Sequence, residues 1–255
     1  MITQIETYEK SDFTAAVAGG HLVRHNVYTL GEGDKVLVLL QELPGIGQET
    51  LALADRFVAT GYRVVMPHLF GPIGKVSLVG NLVRVFCMTR ELKIFRKGGS
   101  SPIVDWLAAL CRSIKQQYGV KGVAVIGMCL TGNFAISLMA DESVLAAYAS
   151  QPALPVHDQK GLHLSPGDIE EIKTRLDALG PMHCGRFSED KLCTSAKFES
   201  LEDAFNDNEN QRIIFHSLPG KGHSLLTLDF VDEPDHLTRK LLDTVVCYFD
   251  EQLTP

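Results

Sequence analysis

The sequence lacks any run of about 18 or more apolar residues, the length that a membrane-spanning helix needs. Its start, MITQIETYEK, also lacks the basic segment followed by an apolar segment that is typical of a secretory signal. Internal repeats and low-complexity segments are missing as well, and no shift in composition marks a second domain. We therefore expect one soluble, cytoplasmic domain that spans residues 1–255.

An excess of basic residues is absent too. Lys and Arg number 24 against 31 Asp and Glu, and the formal net charge is −7. A protein that follows nucleic-acid phosphates needs a large basic patch, which this composition does not favour. The expected partner is therefore a small-molecule substrate, with no role for nucleic acid or a membrane.

Cysteine pairs spaced as C-x-x-C are also missing, although the chain contains 6 cysteines. Their scatter does not resemble a disulfide framework in a chain of this length, so reduced thiols are expected. A zinc site at His183, Cys184 and Cys193 is conceivable, but the spacing matches no common ligand pattern, and we expect no metal. His21 and His25 are expected to be ordinary surface residues.

Short apolar runs alternate with helical patterns along most of the chain. The runs predict strands at 21–28, 36–40, 62–66, 123–126, 146–150, 181–187 and 212–216. The helical patterns cover 49–60, 102–118, 130–140, 168–179, 194–205 and 234–252, with Ser101 as a capping residue. Residues 68–100 are less clear and predict one or two helices. This alternation indicates an α/β fold, a mostly parallel sheet covered by helices on both faces.

The stretch 121–140, KGVAVIGMCLTGNFAISLMA, contains a buried strand, a sharp turn and the start of a helix. Cys129 lies at the apex of that turn, where a side chain is exposed above the sheet beside free backbone N–H groups. Compared with the motif G-x-S-x-G, Cys129 takes the place of serine and Thr131 that of the second glycine. An inert, buried cysteine is the alternative interpretation.

Two residues farther along the chain can complete a catalytic triad with Cys129. Asp190 follows the predicted strand 181–187, and His223 lies in the loop after strand 212–216. Catalytic groups gather at the carboxyl ends of parallel strands, and nucleophile, acid and histidine is the chain order of α/β-hydrolase triads. His223 would deprotonate the thiol, and Asp190, with Glu189 as the alternative acid, would orient the imidazolium.

Carbonyl chemistry also needs donors for a developing oxyanion. The backbone N–H of Leu130, at the start of the predicted helix, is one candidate. The loop after strand 36–40 offers a second in the N–H of Leu43. The preceding residue, Glu42, is an unusual neighbour for a purely structural loop, although a surface glutamate is the alternative.

Several motifs together resemble the dienelactone hydrolase family. They are Gln41-Glu42 before a glycine-containing loop, Gly61-Tyr62 leading into a strand that ends at Pro67, the Gly-x-Cys-Leu turn and Gly222-His223-Ser224. The resemblance runs from about residue 36 to the C-terminus. It implies an α/β-hydrolase fold and hydrolysis of lactones or small esters through an acyl-thiol intermediate, without metal or organic cofactor. It also implies that Glu42 contacts the resting thiol until substrate binding displaces it.

Two departures from the family pattern concern the substrate and the turn. Thr131 replaces the first of two glycines that usually follow Cys-Leu, and Thr227 stands where the bacterial dienelactone enzymes carry an arginine that binds the substrate carboxylate. Arg84 or Arg90 are candidates for the family's other carboxylate-binding arginine.

The residues leave two alternatives to a lactone or ester hydrolase open. A thiol triad can also serve a thioesterase or an acyltransferase, because the acyl group can pass to water or to another acceptor. A non-hydrolytic protein could use the same fold to bind a ligand, or could use Cys129 as a redox sensor.

Overall fold

The computed structural model describes residues 2–43, 45–73, 101–154 and 158–254. Its strands are β1 (Glu9–Ala16), β2 (Leu22–Leu30), β3 (Lys35–Leu39), β4 (Tyr62–Pro67), β5 (Val123–Met128), β6 (Val144–Ser150), β7 (Met182–Phe187) and β8 (Ile213–Leu218). Its α-helices are α1 (Gln48–Ala59), α2 (Pro102–Tyr118), α3 (Leu130–Leu138), α4 (Pro166–Leu179), α5 (Ser195–Phe205) and α6 (Leu237–Leu253). The predicted strands and helices within these ranges are present, with ends shifted by up to three residues.

The eight described strands form one sheet in the order β1-β2-β4-β3-β5-β6-β7-β8. Strands β3 to β8 run parallel to their neighbours, whereas β1 pairs antiparallel with β2, and β2 antiparallel with β4. The predicted mostly parallel α/β sheet is therefore confirmed. Because β3, β5, β7 and β8 point the same way, the loops that follow them meet at one edge of the sheet.

Helices cover both faces of the sheet. Along β3, Val36 and Val38 pack on the face that carries α2, α3, α4 and α5, while Leu37 and Leu39 pack on the face that carries α1 and α6. This alternation follows from the two-residue period of a strand, and both sets are apolar because both faces are covered. The central strands are thus held on two sides, which gives the loops at their ends a rigid base.

Two local expectations, for Ser101 and His25, need correction, and a third finding concerns the conceivable zinc site. Ser101 stands at the N-cap position of α2, but its buried hydroxyl makes no hydrogen bond with the described residues and so does not cap the helix. His25 is not an ordinary surface residue, because its ring packs edge-on against Trp106 at 4.8 Å between centroids, and burial lowers its pKa. The conceivable zinc site is not assembled: neighbouring residues of a strand face opposite ways, so His183 stacks on Tyr248 while Cys184 packs in the core of the other face.

Two further findings concern membrane-spanning helices and the segment 68–100. No helix in the ranges that the structure describes is both long enough and apolar enough to cross a membrane. Residues 74–100 lie outside the described ranges, and with them most of the segment predicted to hold one or two helices. Arg84 and Arg90, the candidate carboxylate-binding arginines, lie in that segment as well.

Candidate active site

Cys129 lies between β5 and α3 in a backbone conformation that few non-glycine residues adopt, with φ 56° and ψ −121°. Hydrogen bonds hold this strained turn: its N–H donates to Ser150 O at 3.0 Å, and its carbonyl accepts from Ala153 N at 3.1 Å. A Cβ atom at Gly127 would lie 2.1 Å from Thr131 O, so only glycine fits there. Cys129 is partly exposed, as the strand-turn-helix pattern predicts.

Thr131 departs from the glycine of the family pattern, and its hydroxyl has a structural use. The Oγ1 atom accepts a hydrogen bond from Met128 N at 2.8 Å, and its single proton lies between two carbonyl acceptors at 3.0 Å, Gln41 O and Met128 O. Glycine could make none of these contacts. Thr131 therefore ties the turn around Cys129 to the loop after β3, which carries Glu42 and Leu43.

His223 and Asp190 meet at the same edge of the sheet, where the loops after β7 and β8 lie side by side. His223 Nδ1 is 2.7 Å from Asp190 Oδ2, and the aspartate side chain is only 1% exposed. Glu189 instead faces solvent, with 59% of its side chain exposed and Lys221 Nζ 3.8 Å away. The geometry thus places Asp190, and not the alternative Glu189, against the imidazole.

Two residues that the sequence did not single out hold these loops. The buried Arg186 donates to the carbonyls of Cys193 at 2.7 Å and Ser188 at 2.9 Å, and so fixes the ends of the loop that carries Asp190. Asp229 Oδ2 accepts from the backbone N–H groups of His223 at 2.8 Å and Ser224 at 2.9 Å. The sequence contained a signal for Arg186, because a charged residue within an otherwise buried strand is unusual. It contained no such signal for Asp229.

The charge of His223 is set by its neighbours. Burial lowers the pKa of the imidazole, but the hydrogen bond with Asp190 and the interaction with the Cys129 thiol outweigh it and raise that pKa to about 10. The Nε2 atom is buried and has no hydrogen-bond partner of regular geometry among the described residues. These interactions favour the protonated imidazole, whose Nε2–H can interact with sulfur or with a leaving group.

The carboxylate of Glu42 is buried and accepts three hydrogen bonds. Ser224 Oγ donates to Oε2 at 2.9 Å, Gln151 Nε2 donates to Oε2 at 3.4 Å, and Thr227 Oγ1 donates to Oε1. Burial raises the pKa of Glu42, an effect that the Thr227 and Ser224 donors oppose. Within the described part of the chain the carboxylate makes no hydrogen bond with Cys129, which differs from the contact that the family resemblance implied.

The two candidate oxyanion donors follow neighbouring strands, β3 and β5. Leu130 is the first residue of α3, where backbone N–H groups have no partner within the helix. The N–H of Leu43 has no hydrogen-bond partner among the described residues. No group of three or more His, Cys, Asp or Glu residues in the described ranges could hold a metal ion.

Solved structures of similar fold include esterases and a dienelactone hydrolase-like phosphotriesterase. A cold-adapted esterase from an Arctic intertidal metagenomic library is 18% identical with a TM-score of 0.63, covering 99% of this chain and 100% of that chain. An esterase of Pyrococcus furiosus is 13% identical with a TM-score of 0.61, and the match covers 98% of this chain and 94% of that chain. A dienelactone hydrolase-like promiscuous phosphotriesterase from metagenomic libraries is 13% identical with a TM-score of 0.64, and the match covers 95% of this chain and 98% of that chain.

At these identities the structures establish the α/β-hydrolase fold. No curated protein matches the sequence. The model of the dienelactone hydrolase family matches residues 27–235, most of the chain, and includes all the candidate site residues. The chain therefore belongs to the dienelactone hydrolase family, whose members are ester and lactone hydrolases.

Proposed function

We propose that this lactone or ester hydrolase uses Cys129 as its nucleophile and forms an acyl-thiol intermediate. One observation carries the proposal: Cys129 is held at the strained apex of the turn between β5 and α3, at the edge of the sheet where His223 Nδ1 lies 2.7 Å from Asp190, and the nearby sulfur raises the pKa of His223. Such backbone strain is retained where the surrounding structure enforces it, and it is concentrated at functional sites. An imidazolium beside a sulfur atom favours the thiolate, the nucleophilic form.

The mechanism assigns one task to each group. The Cys129 thiolate attacks the substrate carbonyl, and the N–H groups of Leu43 and Leu130 stabilise the oxyanion. His223 gives its Nε2 proton to the leaving alcohol, and Asp190 stabilises the imidazolium and keeps the ring in orientation. A water molecule then attacks the thioester, and His223, now neutral, accepts its proton as the acid product leaves.

A panel of small neutral lactones, aryl esters and acyl thioesters tests this proposal. We expect measurable kcat/KM on lactones or aryl esters, with an acyl adduct on Cys129 detectable by intact mass after rapid quenching. Preference for acyl thioesters, or transfer of the acyl group to an added amine or alcohol, would favour the thioesterase or acyltransferase alternative. Alkylation of Cys129 with no turnover on any substrate would favour a binding or redox-sensing protein.

We predict that iodoacetamide labels Cys129 before the other described cysteines. The thiolate is the reactive form, and only Cys129 lies beside an imidazolium and a helix N-terminus. Burial raises the pKa of three other thiols, and the hydrogen bond to Glu251 raises that of the fourth; they are Cys111, Cys184, Cys193 and Cys247. Peptide mass spectrometry after substoichiometric labelling checks the order. Equal labelling of Cys129 and the exposed Cys247 would contradict the assignment.

A further prediction concerns substrate charge and rests on Thr227. The Thr227 hydroxyl is used by Glu42, and threonine cannot supply the paired, charge-assisted hydrogen bonds that an arginine gives to a bound carboxylate. Each such bond contributes roughly 1.5 to 3 kcal/mol. We therefore expect the wild type to hydrolyse a neutral dienelactone methyl ester better than the free carboxylate, as measured by the ratio of kcat/KM values.

The variant Thr227→Arg should shift that ratio by about tenfold or more towards the anionic substrate. Thr227→Gln is the matched control, because it lengthens the polar side chain without adding charge and should leave the preference unchanged. A wild type that already favours the carboxylate would overturn this prediction, since another residue, such as Arg84 or Arg90, would then bind the anion.

A further inference from the structure

We propose that Gln151, Ser224 and Thr227 are positioning residues that keep the Glu42 carboxylate off the Cys129 thiol, so that this thiol is unmasked before substrate binds. The three side chains are called the Glu42 clamp below. The inference rests on the proposed function, because it concerns the resting state of the nucleophile. It differs from the family expectation, in which the glutamate contacts the resting thiol and substrate displaces it.

Thr227 and Ser224 hold the carboxylate from the loop after β8. Thr227 donates to Oε1 of Glu42 and Ser224 donates to Oε2, so each oxygen has its own hydroxyl donor. The turn that carries both donors is itself fixed: Thr227 N donates to Ser224 O at 3.2 Å, and Ser224 N donates to Asp229. The two bonds hold both oxygens of the Glu42 carboxylate in place, and bonds to a charged acceptor are the stronger kind.

Gln151 adds a third donor from the end of β6. Its backbone is in the left-handed region, with φ 35°, and its N–H donates to Gly185 O at 2.6 Å. The side chain is fully buried, and its Oε1 accepts from the Ser150 hydroxyl, so the amide Nε2 faces Glu42. A strained backbone and a fully buried amide are features that local packing alone does not require. They are explained if Gln151 serves to orient Glu42.

The position of Glu42 matters because of its charge. Glu42 and Cys129 follow neighbouring strands, and each interacts electrostatically with His223. A carboxylate against the sulfur would disfavour the thiolate by like-charge repulsion. The Glu42 clamp prevents that contact and leaves the imidazolium of His223 as the charge that faces the thiol.

The rate of iodoacetamide alkylation of Cys129 at neutral pH, without substrate, tests the Glu42 clamp independently of turnover. Thr227→Val keeps the shape of the side chain but removes its hydroxyl, so Glu42 loses a donor and can approach Cys129. We expect alkylation to slow by about five- to tenfold. Thr227→Ser keeps the hydroxyl and should alkylate within about twofold of the wild-type rate.

A double variant separates positioning from general damage. Adding Glu42→Gln to Thr227→Val removes the charge that masks the thiol, and the rate should return to within about twofold of wild type. A site that was merely distorted would not recover. Thr238→Val is the matched control, because Thr238 is a buried threonine whose hydroxyl accepts from Val231 N at 3.0 Å, outside the site. It should lower the thermal midpoint without slowing alkylation.

Two results would overturn the Glu42 clamp alone: a wild-type rate in Thr227→Val, or a slow rate that Glu42→Gln does not restore. Thermal unfolding of each variant establishes that the proteins compared are folded. A wild type whose Cys129 reacts no faster than Cys247 would overturn the proposed nucleophile together with the Glu42 clamp. The two failures are therefore distinguishable from the same set of rates.

Discussion

Cys129→Ala is expected to lower kcat on the best ester by about four orders of magnitude or more, close to the background rate. No acyl-thiol can form without the sulfur, and no other described cysteine can take its place, because three are buried and Cys247 is on α6. Alanine keeps the Cβ atom, so the strained backbone with φ 56° is kept as well. Steady-state turnover, with circular dichroism and the thermal midpoint as tests of folding, measures the effect.

Cys247→Ala is the matched control for this variant. It removes an exposed thiol that lies 3.6 Å from Glu251 and should leave kcat unchanged. A Cys129→Ala protein that keeps wild-type turnover would show that the nucleophile is another group. The family membership and the fold would stand, but the thiol mechanism would not.

The second large effect is expected from His223 and Asp190, which should act as a unit with Cys129. His223→Ala should lower kcat by several orders of magnitude, and Asp190→Asn alone by about three to four. Adding Asp190→Asn to His223→Ala should cost little more, because Asp190 acts on the reaction through the imidazole that it contacts at 2.7 Å. Losses that multiply in the double variant would contradict a triad, and kcat measured on the four proteins decides between the two outcomes.

Glu189→Gln is the control for the acid. Its carboxylate is largely exposed and its ion-pair distance to Lys221 is 3.8 Å, so the change should alter neither kcat nor stability measurably. Asp190→Asn keeps an oxygen that can accept from Leu192 N and Cys193 N, which limits damage to the loop. If Glu189→Gln were the damaging change and Asp190→Asn silent, the acid would be Glu189.

The fold could be predicted from the sequence where burial leaves a simple pattern. Strands β3, β4 and β5 are short apolar runs because helices cover both of their faces, so their existence followed from these runs, and their parallel direction from the alternation of strands with helices. The N-terminal edge strand β1 is mostly exposed and carries polar residues such as Lys10 and Asp12. Strand β1 pairs with β2 along its whole length, and this pairing sets its place in the sheet. The local sequence of β1 gives no indication of that partner.

Some residues of the candidate site could likewise be predicted from the sequence, and others could not. Cys129, Asp190 and His223 could be found because each follows a strand and because their order along the chain has a known meaning. The partners of Glu42 could not, since they lie 109, 182 and 185 residues away in sequence. Nothing local to Gln151 or Ser224 indicates a carboxylate, because that contact exists only once the loops after three strands come together.

The hydroxyl of Thr131 connects the two segments that carry the candidate oxyanion donors, the N–H groups of Leu43 and Leu130. It bonds the carbonyl of Gln41, two residues before Leu43, and it lies next to Leu130 in sequence. The two segments are therefore joined by one buried hydrogen bond. Donors that are preorganised in this way need no reorganisation when charge develops on the substrate, and such electrostatic preorganisation is commonly a large contribution to catalysis. A glycine at position 131 would remove this hydrogen bond and leave the two segments joined only through the rest of the fold.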